Sequence, residues 1–137
     1  MWSLCEGVPS HKAEYSNAPI AYASINNAFD IRLESSSGGI FTLIAEQIMA
    51  SGGIVFGARF DDNFNVVHDY VETKEDLNSL RGSKYLQSKI RETYKEVEKN
   101  LKQGRNVLFS GTPCQIAGLN SFLRKTYDNL FTVDIIC

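Results

Sequence analysis

The sequence predicts one α/β domain (or the closely related α+β class), with a mixed β-sheet flanked by helices and a parallel β-turn-α-β unit at its C-terminal end. Three observations carry that expectation. Apolar residues recur at helical spacing at Phe41, Ile44, Ala45 and Ile48, and again at Ile90, Tyr94, Val97 and Leu101. Ile54, Phe56, Ala58 and Phe60 alternate, and after the turn residues Asp61-Asp62-Asn63 the apolar stretch 66–71 runs back as a partner strand. Apolar stretches 106–109 and 130–136 bracket a helical stretch through short connections, which favours a parallel pair with a right-handed crossover.

Taken in order, residues 1–19 read as an irregular N-terminal arm, polar and broken by Gly7, Pro9 and Pro19. Residues 20–25 read as a short strand, and 29–33 as its hairpin partner across Asn26-Asn27-Ala28. Ser35-Ser36-Ser37-Gly38-Gly39 then opens a helix over 40–49. Its serines are suited to capping the first N–H groups, and Gly52 and Gly53 are suited to ending it. After the 54–60 and 66–71 hairpin, Thr73 with Glu75 and Asp76 predicts a short helix favoured by its acidic first turn. A longer helix is predicted over 87–103 with Gly104 as its stop, followed by a strand over 106–109, a turn to Cys114, a helix over 115–125 and a buried strand over 130–136. Residues 20–137 form the predicted domain. Because natural chains seldom stop on a core strand, that domain is expected to be truncated at its C-terminal end.

Composition narrows the function. At 137 residues a single core buries roughly two thirds of the surface of the unfolded chain, so neither a metal nor a disulfide framework is needed to fold it. Lys and Arg number 14 against 16 Asp and Glu, mixed along the chain, which argues against nucleic acid as a partner. No apolar run approaches the ~18 residues of a membrane span. Three widely separated cysteines, Cys5, Cys114 and Cys137, suit a reducing cytoplasm better than an oxidised scaffold.

Cys114 follows a predicted core strand in Ser110-Gly111-Thr112-Pro113-Cys114-Gln115, at the first turn of a helix, where a thiolate is stabilised. It reads as a nucleophile, a metal ligand or a small residue capping the strand. A phosphatase-like loop would need an arginine a few residues on, and the first is Arg124. A thioredoxin-like site would need cysteine at position 117, which is Ala117. A thiol hydrolase would need a base, and both His11 and His68 read as structural or surface residues. Cys137 ends the next strand, on the sheet edge where Cys114 lies, so two sulfurs there suit iron–sulfur or zinc ligation. Cys5 reads as a surface thiol or a third ligand. Ser35 to Gly39 suits an anion held at a helix N-terminus or an ordinary cap, and Arg81-Gly82-Ser83-Lys84-Tyr85-Leu86-Gln87-Ser88, with two cations, hydroxyls and an aromatic ring, suits a phosphate, a flat ring or a solvated linker.

Read together, Ser35-Ser-Ser-Gly-Gly39, Gly53-Ile-Val-Phe-Gly57, Arg81-Gly-Ser-Lys-Tyr85, the stretch through Gly111-Thr-Pro-Cys-Gln-Ile-Ala-Gly118 and Val133-Asp-Ile-Ile-Cys137 resemble the coenzyme F-420 hydrogenase/dehydrogenase beta-subunit family from about residue 21 onward. The resemblance implies an electron-transferring oxidoreductase in which FAD exchanges a hydride with a two-electron carrier and a 4Fe-4S cluster takes electrons singly. Coenzyme F-420 would be a substrate, and a redox partner protein or subunit would supply or accept electrons. It implies Cys114 and Cys137 as cluster ligands, and Ser36, Ser37, Gly38, Gly39, Gly82, Ser83, Lys84, Tyr85 and Thr112 as flavin or coenzyme contacts. Family members often carry Cys-x-x-Cys motifs before the shared region and His-Gly after the last cysteine. Here Cys5 alone precedes it and the chain ends at Cys137. The alternative reading is a noncatalytic truncated relative that binds a nucleotide or a partner.

Overall fold

The computed structural model describes residues 20–136. The arm, Cys5, His11 and Cys137 lie outside the described residues. Helix α1 spans Phe29–Leu33, α2 Ile40–Ala50, α3 Thr93–Lys102 and α4 Pro113–Leu123. Strands are β1 Ile54–Phe60, β2 Val66–Val71, β3 Val107–Gly111 and β4 Leu130–Asp134, and a 3-10 turn covers Asp76–Leu80. The four strands form one sheet in the order β2-β1-β3-β4, antiparallel between β1 and β2 and parallel across β1-β3 and β3-β4. The predicted α/β class with its C-terminal parallel β-α-β unit is the fold observed.

Strand alternation divides the core in two. Ile54, Phe56, Val107 and Phe109 face α3 and α4, packing with Val97, Leu101, Ile116 and Leu119. Val55, Val71 and Leu108 face the opposite way, onto Ala45 and Ile48 of α2 and onto Leu77 and Leu80 of the 3-10 turn. All five residues of β3 are buried, so the sheet is covered on both sides at its centre.

Several predicted elements come out differently. Residues 20–25 form no strand, and 29–33 are helical instead of extended. The buried Asn26 explains both: its side-chain Oδ1 accepts from Ala28 N at 2.9 Å and starts a helical turn, and its own N–H is taken by the Gly38 carbonyl at 2.7 Å. The serines do not cap α2. Its N-cap is Gly39 at φ 72°, while Ser35 Oγ donates back to Ile31 O at 2.6 Å. The long helix begins at Thr93, not Gln87, because Lys89 pairs its backbone with the free edge of β2: Lys89 N donates to Val66 O at 2.9 Å and His68 N to Lys89 O at 3.0 Å. Finally, β4 is an exposed edge strand, not a buried one. Only Leu130 and Val133 turn partly into the two cores.

Gly118 shows why α3 and α4 pack so closely. A Cβ there would lie 2.8 Å from the Tyr94 hydroxyl, which is itself held by donating to Gln115 O at 2.7 Å. Alanine at 118 gains up to about 1 kcal/mol in helix propensity, but overpacking costs about 1–3 kcal/mol. We expect Gly118→Ala to destabilise the fold by on the order of 1 kcal/mol in urea denaturation. Adding Tyr94→Phe, which removes the crowded oxygen, should recover part of that loss. Strictly additive effects of the two changes would show that the contact does not matter.

Candidate functional site

Because α2 leads into β1 through the tight turn at Ser51–Gly53, its N-terminus lies toward the C-terminal ends of the parallel strands. The start of α4 lies there too, directly after β3. Three of the predicted segments therefore share one end of the sheet, the position where open α/β sheets commonly bind ligands.

Two of those segments touch. Ser83 N donates to Ser36 Oγ at 2.9 Å, joining the Ser-Gly-Gly loop to the Gly-Ser-Lys-Tyr loop. Arg81 pins the same junction: its Nε donates to Thr42 Oγ1 at 3.1 Å in the first turn of α2, and its guanidinium pairs with Glu34 at 2.5 Å and bonds Asn78. Gly82 takes φ 78°, a left-handed conformation that glycine adopts without strain. Behind the loop, Asn26 Nδ2 reaches Gly39 O at 3.4 Å. Ser36 and Ser37 are exposed and Gly39 is buried. Lys84 is turned inward, with Nζ donating to Arg81 O at 2.6 Å and Ser79 O at 3.1 Å, and burial lowers its pKa from the ordinary lysine value. Tyr85 stands out at 94% exposure, leaving its ring open to a flat partner.

The third segment is the β3–α4 turn. The structure begins α4 at Pro113, two residues before the predicted start, with Thr112 as N-cap and Cys114 exposed in the first turn. The exposed thiol lies in the first turn of α4, at the end of the helix dipole that favours a thiolate. No group of three or more metal-ligating side chains occurs among the described residues, and of the predicted pair only Cys114 is described.

Sequence reasoning missed what holds this turn. His68 on β2 is buried, and its ring stacks on Phe109 at a centroid distance of 4.9 Å. The Nε2 atom lies 2.8 Å from Ser110 O, and because a carbonyl only accepts, Nε2 carries the proton. Nδ1, 2.8 Å from Ser88 Oγ, is then the acceptor. Gln115 Nε2 donates to Ser88 Oγ at 2.8 Å, and Gln115 Oε1 accepts from Thr112 N at 3.0 Å. The readable signal was Thr112-x-x-Gln115, a capping-box spacing. A cleft of about 190 Å³ between β2 and the start of α3 reaches His68 and is lined by Asp69, Tyr70, Arg91, Glu92 and Glu96 among others.

The site so defined belongs to a sheet covered on both faces, with two glycine-containing loops and a helix-borne cysteine at one end. In fold it is similar to a chain of the F420-reducing NiFe hydrogenase complex from Methanosarcina barkeri, with a TM-score of 0.63 and 21% identity, over 85% of this chain and 44% of that one. The chain thus spans less than half the length of that relative. No protein-family model matches it, and no curated protein does. Among the described residues no helix is long and apolar enough to cross a membrane.

Burial holds the His68 pKa below its ordinary 6.5, opposed in part by the bond to Ser110 O. Between the folded value and 6.5 the unfolded chain therefore binds more protons. The stabilisation from neutral His68 is full above 6.5 and is lost as pH falls through the folded value. We expect denaturation midpoints to fall as the pH is lowered from 6.5 towards that folded value, and His68→Gln to flatten the decline. An equally steep decline in the variant would assign it to other groups.

Proposed function

We propose that this chain is part of an electron-transferring oxidoreductase of the coenzyme F-420 hydrogenase/dehydrogenase beta-subunit type. The observation that carries this reading is the Ser83–Ser36 bond, which brings together two loops far apart in sequence at the end of the sheet that also bears Cys114. The fold similarity to a chain of an F420-reducing hydrogenase complex agrees with it.

The chemistry at that end suits the reading. Ser36, Ser37, Gly38 and Gly39, with Gly82, Ser83 and Thr112, offer hydroxyls and backbone amides to a phosphate-bearing coenzyme near the N-terminus of α2. Tyr85 offers an exposed aromatic face for stacking. Cys114 would ligate a cluster together with Cys137, which lies outside the described residues. The described residues fit one ligand of such a cluster, so further ligands would come from elsewhere in the chain or from a partner. When bound, FAD would supply two-electron exchange, with coenzyme F-420 as a candidate carrier, and a 4Fe-4S cluster would supply single-electron transfer to a partner subunit. Residues 20–137 would form the redox domain after an arm at 1–19, working in the reducing cytoplasm.

The full chain, reconstituted anaerobically with iron and sulfide and titrated with FAD, should take up iron with a broad visible absorption and quench flavin fluorescence. Cys114→Ser should lose most of the iron while its circular dichroism stays that of the wild type. Wild-type protein that takes up neither group, or a variant that keeps its iron, would overturn the assignment and favour a noncatalytic module.

A further inference from the structure

We propose that His68, Ser88 and Gln115 are positioning residues that fix the first turn of α4, and with it Cys114, by a one-directional chain of hydrogen bonds from β2 and the 88–90 segment. That Cys114 is the residue served rests on the reading given under Proposed function; the chain of bonds does not.

Each link has a forced direction. Thr112 N donates to Gln115 Oε1, Gln115 Nε2 to Ser88 Oγ, Ser88 Oγ to His68 Nδ1, and His68 Nε2 to Ser110 O, over distances of 3.0, 2.8, 2.8 and 2.8 Å. The chain starts and ends on backbone atoms two residues apart, on either side of Gly111. It therefore closes a ring around the turn from β3 into α4. His68 and Ser88 are buried, so water is a poor substitute for a lost link. Two further contacts hold the ring in place. Thr93 Oγ1 donates to His68 O at 2.9 Å, and the pairing of Lys89 with β2 brings the neighbouring Ser88 alongside the imidazole. None of the three residues needs to touch a ligand, since they act through the backbone that carries Thr112 and Cys114.

The test uses the full chain without added metal. Long-range proton–nitrogen NMR of His68 should show the Nε2–H tautomer. The readout of turn order is amide exchange at Ile116, whose N–H donates to Thr112 O at 3.0 Å, with α2 amides as the reference. Ser88→Ala should speed that exchange on the order of five- to tenfold while the reference stays unchanged. Gln115→Ala should do the same, and the double variant should be little worse than either alone, because both break one chain. Ser88→Thr, which keeps the hydroxyl, should restore slow exchange. An Nδ1–H tautomer, unchanged exchange in both alanine variants, or additive effects in the double variant would overturn the proposal. Iron uptake by Cys114→Ser bears only on the ligand assignment, so the two can fail separately.

Discussion

Where β1 and β3 stop pairing, the structure acquires its most demanding requirement. The parallel ladder joins Ile54–Phe56 to Val107–Phe109 and goes no further, yet β3 continues, buried, through Gly111. Successive carbonyls on a strand point to opposite sides. Since Gly111 O accepts from Ile135 N on the β4 side, Ser110 O faces the side that β1 has left. A buried carbonyl without a donor costs about 1–3 kcal/mol. His68 Nε2 meets that need, and Ser110 Oγ completes the seam by donating to Phe56 O at 3.2 Å. The opening between the strands thus creates both the end of the sheet where the candidate site lies and the polar seam that keeps it in shape.

This constraint gives the segment from Gly111 to Gly118 a physical meaning for most of its positions. Gly111 is tightly enclosed: a Cβ would sit 3.0 Å from Gln115 Oε1 and 3.1 Å from the Phe109 ring, so a side chain there would press on both. Thr112 ends the strand and caps the helix, and Pro113 starts it at a position where a missing N–H is harmless. Gln115 ties the cap to Ser88, Ile116 and Leu119 enter the core, and Gly118 admits Tyr94. Cys114 and Ala117 are exposed and belong to neither buried core cluster. An exposed cysteine at a helix start is more informative than one buried in a core.

The sequence revealed the parts of the molecule that depend on local pattern. The alternation of β1, the apolar face of α2 and the strand–helix–strand order at the C-terminal end are properties of short windows, and each appears in the structure close to its predicted bounds. What depends on distant partners did not show. The segment 87–92 has helical spacing, but the free edge of β2 takes up the Lys89 backbone. The stretch 29–33 alternates like a strand, but Asn26 and Gly38 turn the chain before any strand partner is available. In the site, the two loops and the cysteine could be read from composition. Their meeting through Ser36 and Ser83, and the service of His68, a residue that reads as structural or surface, could not be read, because each spans 20 or more positions of chain.

The two halves of the candidate site are therefore held by different physics. The Cys114 half sits on a helix whose cap runs into a buried, directionally fixed chain of hydrogen bonds, and buried polar networks of that kind have few alternative arrangements. The loop half is held in part by bonds of low exposure, from Arg81 to Thr42 and from Asn26 to Gly39, and in part by exposed ones, with the Ser83–Ser36 contact in solvent and Tyr85 and Leu86 packed against little. Exposed contacts of this sort contribute little energy and open locally at low cost. On the reading proposed above, a one-electron centre, whose ligand geometry must be kept, would sit on the half fixed by the buried chain, and a carrier that has to arrive and leave would meet the more exposed one.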